Sequence, residues 1–71
     1  MIDLEKIRRI RKEKGIKMDD IAKELGYKYY ASYYRLEKGL RKISIDKLIK
    51  LSEILQVPIE ELIKKGDKNE G

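Results

Sequence analysis

The chain has neither cysteine nor histidine among its 71 residues, and this pair of absences narrows its chemistry at once. Without cysteine there is no disulfide framework, and a reducing cytoplasm is the natural setting. The usual zinc and haem ligands are missing too, leaving only carboxylates, which suit hard cations. No cofactor or metal is expected. An enzyme is not expected either. The three serines (Ser32, Ser44, Ser52) fall at ordinary helix, cap and core positions, and there is no glycine-rich phosphate loop. Apolar runs stop at two or three residues, which excludes a membrane-spanning helix or a signal-peptide core. No strand alternation and no small-molecule pocket are legible. A length of 71 residues allows one small domain with a thin core.

What is present is charge, unevenly placed. Lys and Arg total 18 against 13 Asp and Glu, a net +5. Residues 1–15 hold six basic and three acidic groups, and residues 28–42 hold five and one. Residues 43–63 reverse the balance with two and four. A positive field over the first helix and the middle of the chain favours a nucleic-acid partner.

Apolar spacing predicts five short helices. The first begins after Asp3, a good N-cap, carries Leu4, Ile7 and Ile10, and ends at Gly15. The second runs from about Met18 to Leu25, with Ile21, Ala22 and Leu25 inward and Gly26 as its stop. Lys17 is a poor cap for it. The third covers about residues 30–38 and closes at Gly39. The fourth, capped by Ser44, spans Ile45 to Leu55 with Ile45, Leu48, Leu51, Ser52 and Leu55 toward the core. Pro58 introduces a short fifth holding Ile59, Leu62 and Ile63. The domain is expected over residues 1–65, with 66–71 as a flexible tail.

All five aromatic residues are tyrosines within eight positions: Tyr27, Tyr29, Tyr30, Tyr33 and Tyr34. A helix this short cannot bury them all. Some must face out beside Lys38, Arg41 and Lys42, a surface suited to an anionic partner.

Four runs in order, IRRIRKEKG (7–15), IAKELG (21–26), RLEKG (35–39) and SIDKLIKLSEILQVPIEEL (44–62), resemble the phage-repressor and Cro type of helix-turn-helix, the XRE family. The resemblance implies an all-α, lambda-repressor-like five-helix domain whose helices two and three form the helix-turn-helix. It implies sequence-specific binding to double-stranded DNA by a transcriptional regulator, most simply a repressor, with helix three in the major groove. By the same resemblance Tyr33 and Leu36 take inward positions, Tyr33 with its hydroxyl at the surface, and Tyr27 packs on the core. Base contacts would then come from the outward Tyr30, Ala31, Tyr34 and Arg35. Phosphate contacts would come from Lys17, Lys28, Tyr29, Ser32, Lys38, Arg41 and Lys42. Arg11 and Glu37 take the places of a buried salt bridge tying helix one to helix three. A homodimer through the C-terminal helices is implied, in the cytoplasm of a prokaryote or phage host. Ile49, Ile54, Ile59 and Ile63 serve either that contact or a thicker core.

Two departures stand out. The interval from Gly26 to Glu37 is one residue longer than the commonest form, so either Lys28 or Tyr29 caps helix three. Met18 replaces a frequent glutamine that holds a phosphate. A different class, a protein-interaction module of the same fold (antitoxin-like or coactivator-like), would also use a tyrosine surface, but would not require the adjacent basic run.

Overall fold

The computed structural model describes residues 2–64, and the tail expected at 66–71 lies outside the described residues. Four α-helices, α1 (Leu4–Glu13), α2 (Met18–Glu24), α3 (Tyr30–Glu37) and α4 (Ile45–Leu55), are followed by a single 3-10 turn at Ile59–Leu62. That turn stands where a fifth helix was expected. Glu61 N donates to the Pro58 carbonyl at 2.9 Å, an i to i+3 bond, and one tight turn suffices to bury Leu62.

Helix starts follow local chemistry. The Asp3 carboxylate accepts from Lys6 N at 3.1 Å, and Ser44 Oγ accepts from Lys47 N at 3.2 Å. Lys17 and Tyr29, which precede α2 and α3, are extended and make no side-chain cap bond. Tyr29 is thus the residue at the threshold of α3, and Lys28 belongs to the turn before it.

The helix-turn-helix corner is made at Gly26, whose φ of 86° an L side chain rarely adopts. Gly26 N donates to Lys23 O and Tyr27 N to Ala22 O, both at 2.9 Å, which satisfies two carbonyls at the end of α2. The same bond pair closes α1 at Gly15 and α3 at Gly39, and Lys38 is the cap of α3 rather than part of it.

The core draws Ile7 and Ile10 from α1, Ile21, Ala22 and Leu25 from α2, and Tyr33 and Leu36 from α3. Leu48, Leu51 and Leu55 from α4, with Leu62, complete it. Burying each large apolar side chain stabilises by about 1.5–3 kcal/mol relative to leaving it exposed. Ile54 and Ile59 pack against this cluster. Ile45, expected inward, is instead 69% exposed. Its spacing matches the inward stripe, but it stands at the first turn of α4, outside the packed cluster, and is left uncovered among the described residues. Ile49 and Ile63 are also exposed. Ile63 lies beyond the 3-10 turn in an isolated antiparallel bridge with Ile2, and Asp3 N donates to Leu62 O at 2.9 Å. With an ion pair between Lys6 and Glu61, these bonds hold the start of the fold to its end.

Candidate nucleic-acid interface

Two features of α3 decide what it can present. Its rear is anchored: Tyr33, Leu36 and Glu37 are buried. Its front is bare: Tyr29, Tyr30 and Tyr34 are 65%, 56% and 41% exposed, and Ala31 and Arg35 are exposed as well. Ser32 is half-buried at the flank. Tyr30, Ala31, Tyr34 and Arg35 stand one helical turn apart in two pairs, on a single face.

The buried end of α3 is fixed by charge. Arg11 Nε donates to Glu37 Oε2 at 2.7 Å and Nη2 to Oε1 at 3.1 Å, while Nη1 donates to the Ile16 carbonyl at 3.0 Å. One guanidinium therefore ties α1, the approach to α2 and the end of α3. The hydrogen bonds and charge of Glu37 hold Arg11 above its ordinary pKa, against the opposing effect of burial. Tyr33 differs from expectation. Its hydroxyl does not reach the surface but is buried, with no hydrogen-bond partner among the described residues. Burial first, and then the Glu37 carboxylate, push the phenol far above its usual range.

Beside the front of α3 lies an open concavity of about 410 Å³ between α2 and the turn. Ala22, Tyr27, Tyr29, Tyr30 and Ala31 give it apolar walls, and Lys23, Lys28 and Asp19 supply its charge. The structure brings Arg41 here from the loop after α3, its guanidinium carbon 5.2 Å from the centre of the Tyr27 ring. Lys47 of α4 approaches the same ring at 4.7 Å and donates to the Leu25 carbonyl at the end of α2. Lys28 stands over Tyr29 at 5.8 Å, and Lys38 over Tyr34 at 5.5 Å. Lys17 and Lys42 are exposed, and among the described residues neither takes part in the ring contacts of this cluster. Lys23 and Lys47 were not singled out from the sequence. For Lys47 the only local hint is that the C-terminal end of α2 attracts a cation. Its separation of 22 residues from Leu25 hides the pairing.

Exposed cations interleaved with aromatic faces suit a polyanion: charges meet phosphates, and ring edges or methyl groups meet bases. No described helix is long and apolar enough to cross a membrane.

The comparisons agree with this geometry. No curated protein matches the chain in sequence. The crystal structure of the restriction-modification controller protein C.AhdI from Aeromonas hydrophila superposes with a TM-score of 0.76 at 25% identity, covering 84% of this chain and 89% of that one. The family model described as helix-turn-helix matches residues 7–62. That span takes in every helix from the first turn of α1 to Leu62, so the chain belongs to the helix-turn-helix family of DNA-binding regulators, of the phage-repressor and Cro type.

Proposed function

We propose that the protein binds double-stranded DNA sequence-specifically, as a homodimer, and represses transcription by occupying the duplex that the transcription machinery needs. The supporting observation is the two-sided character of α3, with Tyr33 and Leu36 anchored behind and Tyr30, Ala31, Tyr34 and Arg35 free in front. Arg35 reads guanine through a bidentate bond in the major groove. Tyr30, Ala31 and Tyr34 face neighbouring base edges. Lys17, Lys28, Tyr29, Ser32, Lys38, Arg41 and Lys42 hold phosphates on either side, so binding weakens steeply as salt rises. The likeness to a restriction-modification controller supports the regulatory part of this reading. Its working place is the prokaryotic cytoplasm, on the nucleoid.

One reading helix covers only a few base pairs, and two half-sites supply the rest of the specificity. Ile45 and Ile49, exposed and one turn apart on α4, are the apolar surface for a second copy.

The test is selection of bound sequences from a random duplex pool, followed by two variants. Arg35→Ala should relax preference at one base position, whereas Lys42→Ala should weaken all sequences alike. Equal, sequence-independent losses from both would remove Arg35 as a reader. Failure to bind heparin or any duplex at low salt would favour a protein-interaction module, for which the exposed tyrosines are the supporting feature.

A further inference from the structure

Resting on the DNA-reading assignment above, the chemistry of α3 also limits which bases it can read. In the major groove adenine is recognised by Asn or Gln, the cytosine amino group by Asp or Glu, guanine by Arg or Lys, and thymine through its 5-methyl group by apolar contact. The helix, YASYYRLE, has no Asn, Gln or Asp. Its one carboxylate, Glu37, is buried and bonded to Arg11. The bidentate carboxamide pairing with adenine and the carboxylate pairing with cytosine are therefore missing from its exposed face. Guanine remains, through Arg35, and the 5-methyl group remains, through Tyr30, Ala31 and Tyr34.

The spacing makes those two modes adjacent. Ala31 has Tyr34 three residues on and Arg35 four residues on, with Tyr30 next to it and one turn below Tyr34. The small Ala31 side chain is exposed among these larger neighbours and lines the concavity together with Tyr29 and Tyr30. Lys38 stands over the Tyr34 ring, 5.5 Å from its centre. A methyl group can pack on a small apolar side chain and ring faces of this kind.

We infer that α3 reads a 5-methylpyrimidine next to guanine, so that 5-methylcytosine in place of cytosine at that step strengthens binding. Thymine and 5-methylcytosine carry the same methyl group at the same groove position. The protein is by this account a sensor of cytosine C5 methylation within its own site.

Three random duplex pools test this: one unmodified, one with deoxyuridine for thymidine, and one with 5-methylcytosine for cytosine. The best duplex from the first is then remade with single substitutions. One uracil at the contacted thymine should weaken binding about fourfold, the effect of losing one buried methyl-sized group. Placing 5-methylcytosine where cytosine precedes guanine should strengthen it about fourfold. Tyr34→Ser, a change at an exposed position whose helix content is checked first, should bring the thymine-to-uracil ratio toward one. Equal affinity for uracil and thymine at every position, or weakening by every 5-methylcytosine, overturns the inference while preference over a scrambled duplex keeps the DNA-reading assignment. No preference over a scrambled duplex defeats both.

Discussion

At Gln56 the backbone takes φ 58°, the left-handed conformation that closes α4, with Gln56 N bonded to Glu53 O and Val57 N to Ser52 O. The other three helices place glycine at this point, and a residue with a Cβ is held there at a cost of about 1–2 kcal/mol. Part of that is offset by the greater freedom of glycine in the unfolded chain. Gln56→Gly should therefore stabilise the fold by about 0.5–1 kcal/mol and raise the melting temperature by several degrees, roughly 4–8 °C per kcal/mol at this size. A lower melting temperature would contradict the cap. Tyr33 yields a second prediction. A buried hydroxyl without a partner costs about 1–3 kcal/mol, so Tyr33→Phe should leave stability unchanged or raise it. Chemical denaturation measures this, and a loss of 2 kcal/mol or more would mean that the hydroxyl is bonded. These two residues also mark what sequence reading can reach. The inward position of Tyr33 follows from its place in the family pattern, but the fate of its hydroxyl depends on how deep the core is and what α1 brings to it. The left-handed Gln56 carries no signature at all, because only its position after Leu55 demands the conformation.

Between elements, the caps, glycine stops and core stripes were legible because each depends on residues three or four apart. The Arg11–Glu37 pair, 26 residues apart, was suggested only by resemblance to a family, and the Lys47–Leu25 cap by no more than the general pull of a helix C-terminus on a cation. Both set the attitude of the helix-turn-helix. Arg11→Ala leaves the Glu37 carboxylate buried without its partner and should cost about 3–5 kcal/mol. Replacing both with apolar residues, Arg11→Met with Glu37→Leu, should recover most of that loss. The double variant still lacks the bond to the Ile16 carbonyl, so duplex binding should remain weaker than wild type even where the melting temperature is restored. Wild-type affinity in the double variant would show that the pair has no part in orienting α3. Tyr27 joins a different set of elements: its ring lies under Arg41 and Lys47 and lines the concavity beside Tyr30. Tyr27→Leu keeps apolar packing but removes the ring face, which is worth about 0.5–1 kcal/mol per exposed cation. Duplex affinity should fall about two- to fivefold for all sequences alike, and Tyr27→Phe should restore it. Titrations at fixed salt decide the matter, and a Phe variant as weak as the Leu variant would assign the effect to the hydroxyl instead.

For the whole molecule, the division of charge and apolar surface suggests two working faces. Cations and rings gather around α2, α3 and the loop that follows, while Ile45 and Ile49, 69% and 44% exposed, stand on α4 in the mildly acidic third of the chain. Sequence pattern placed Ile45 in the core, since spacing reports which residues share a face but not where packing ends. Of the four isoleucines weighed for pairing, Ile54 and Ile59 pack on the core, which leaves Ile49 and Ile63 exposed. If a second copy covers α4, replacing Ile49 with Glu puts two carboxylates into an apolar contact in the symmetric pair. Ile49→Glu should then sediment as a monomer at concentrations where the wild type is a dimer. Its fold should survive, because Ile49 is not part of the core. Binding to a single half-site should be nearly unchanged, while affinity for a two-half-site duplex should drop by well over tenfold, as each half then binds without its linked neighbour. Equal losses on one and two half-sites would mean that Ile49 acts on the reading surface rather than on pairing. A wild-type protein that sediments as a monomer both alone and on the two-half-site duplex would remove the dimer altogether and leave α3 to bind as a single unit.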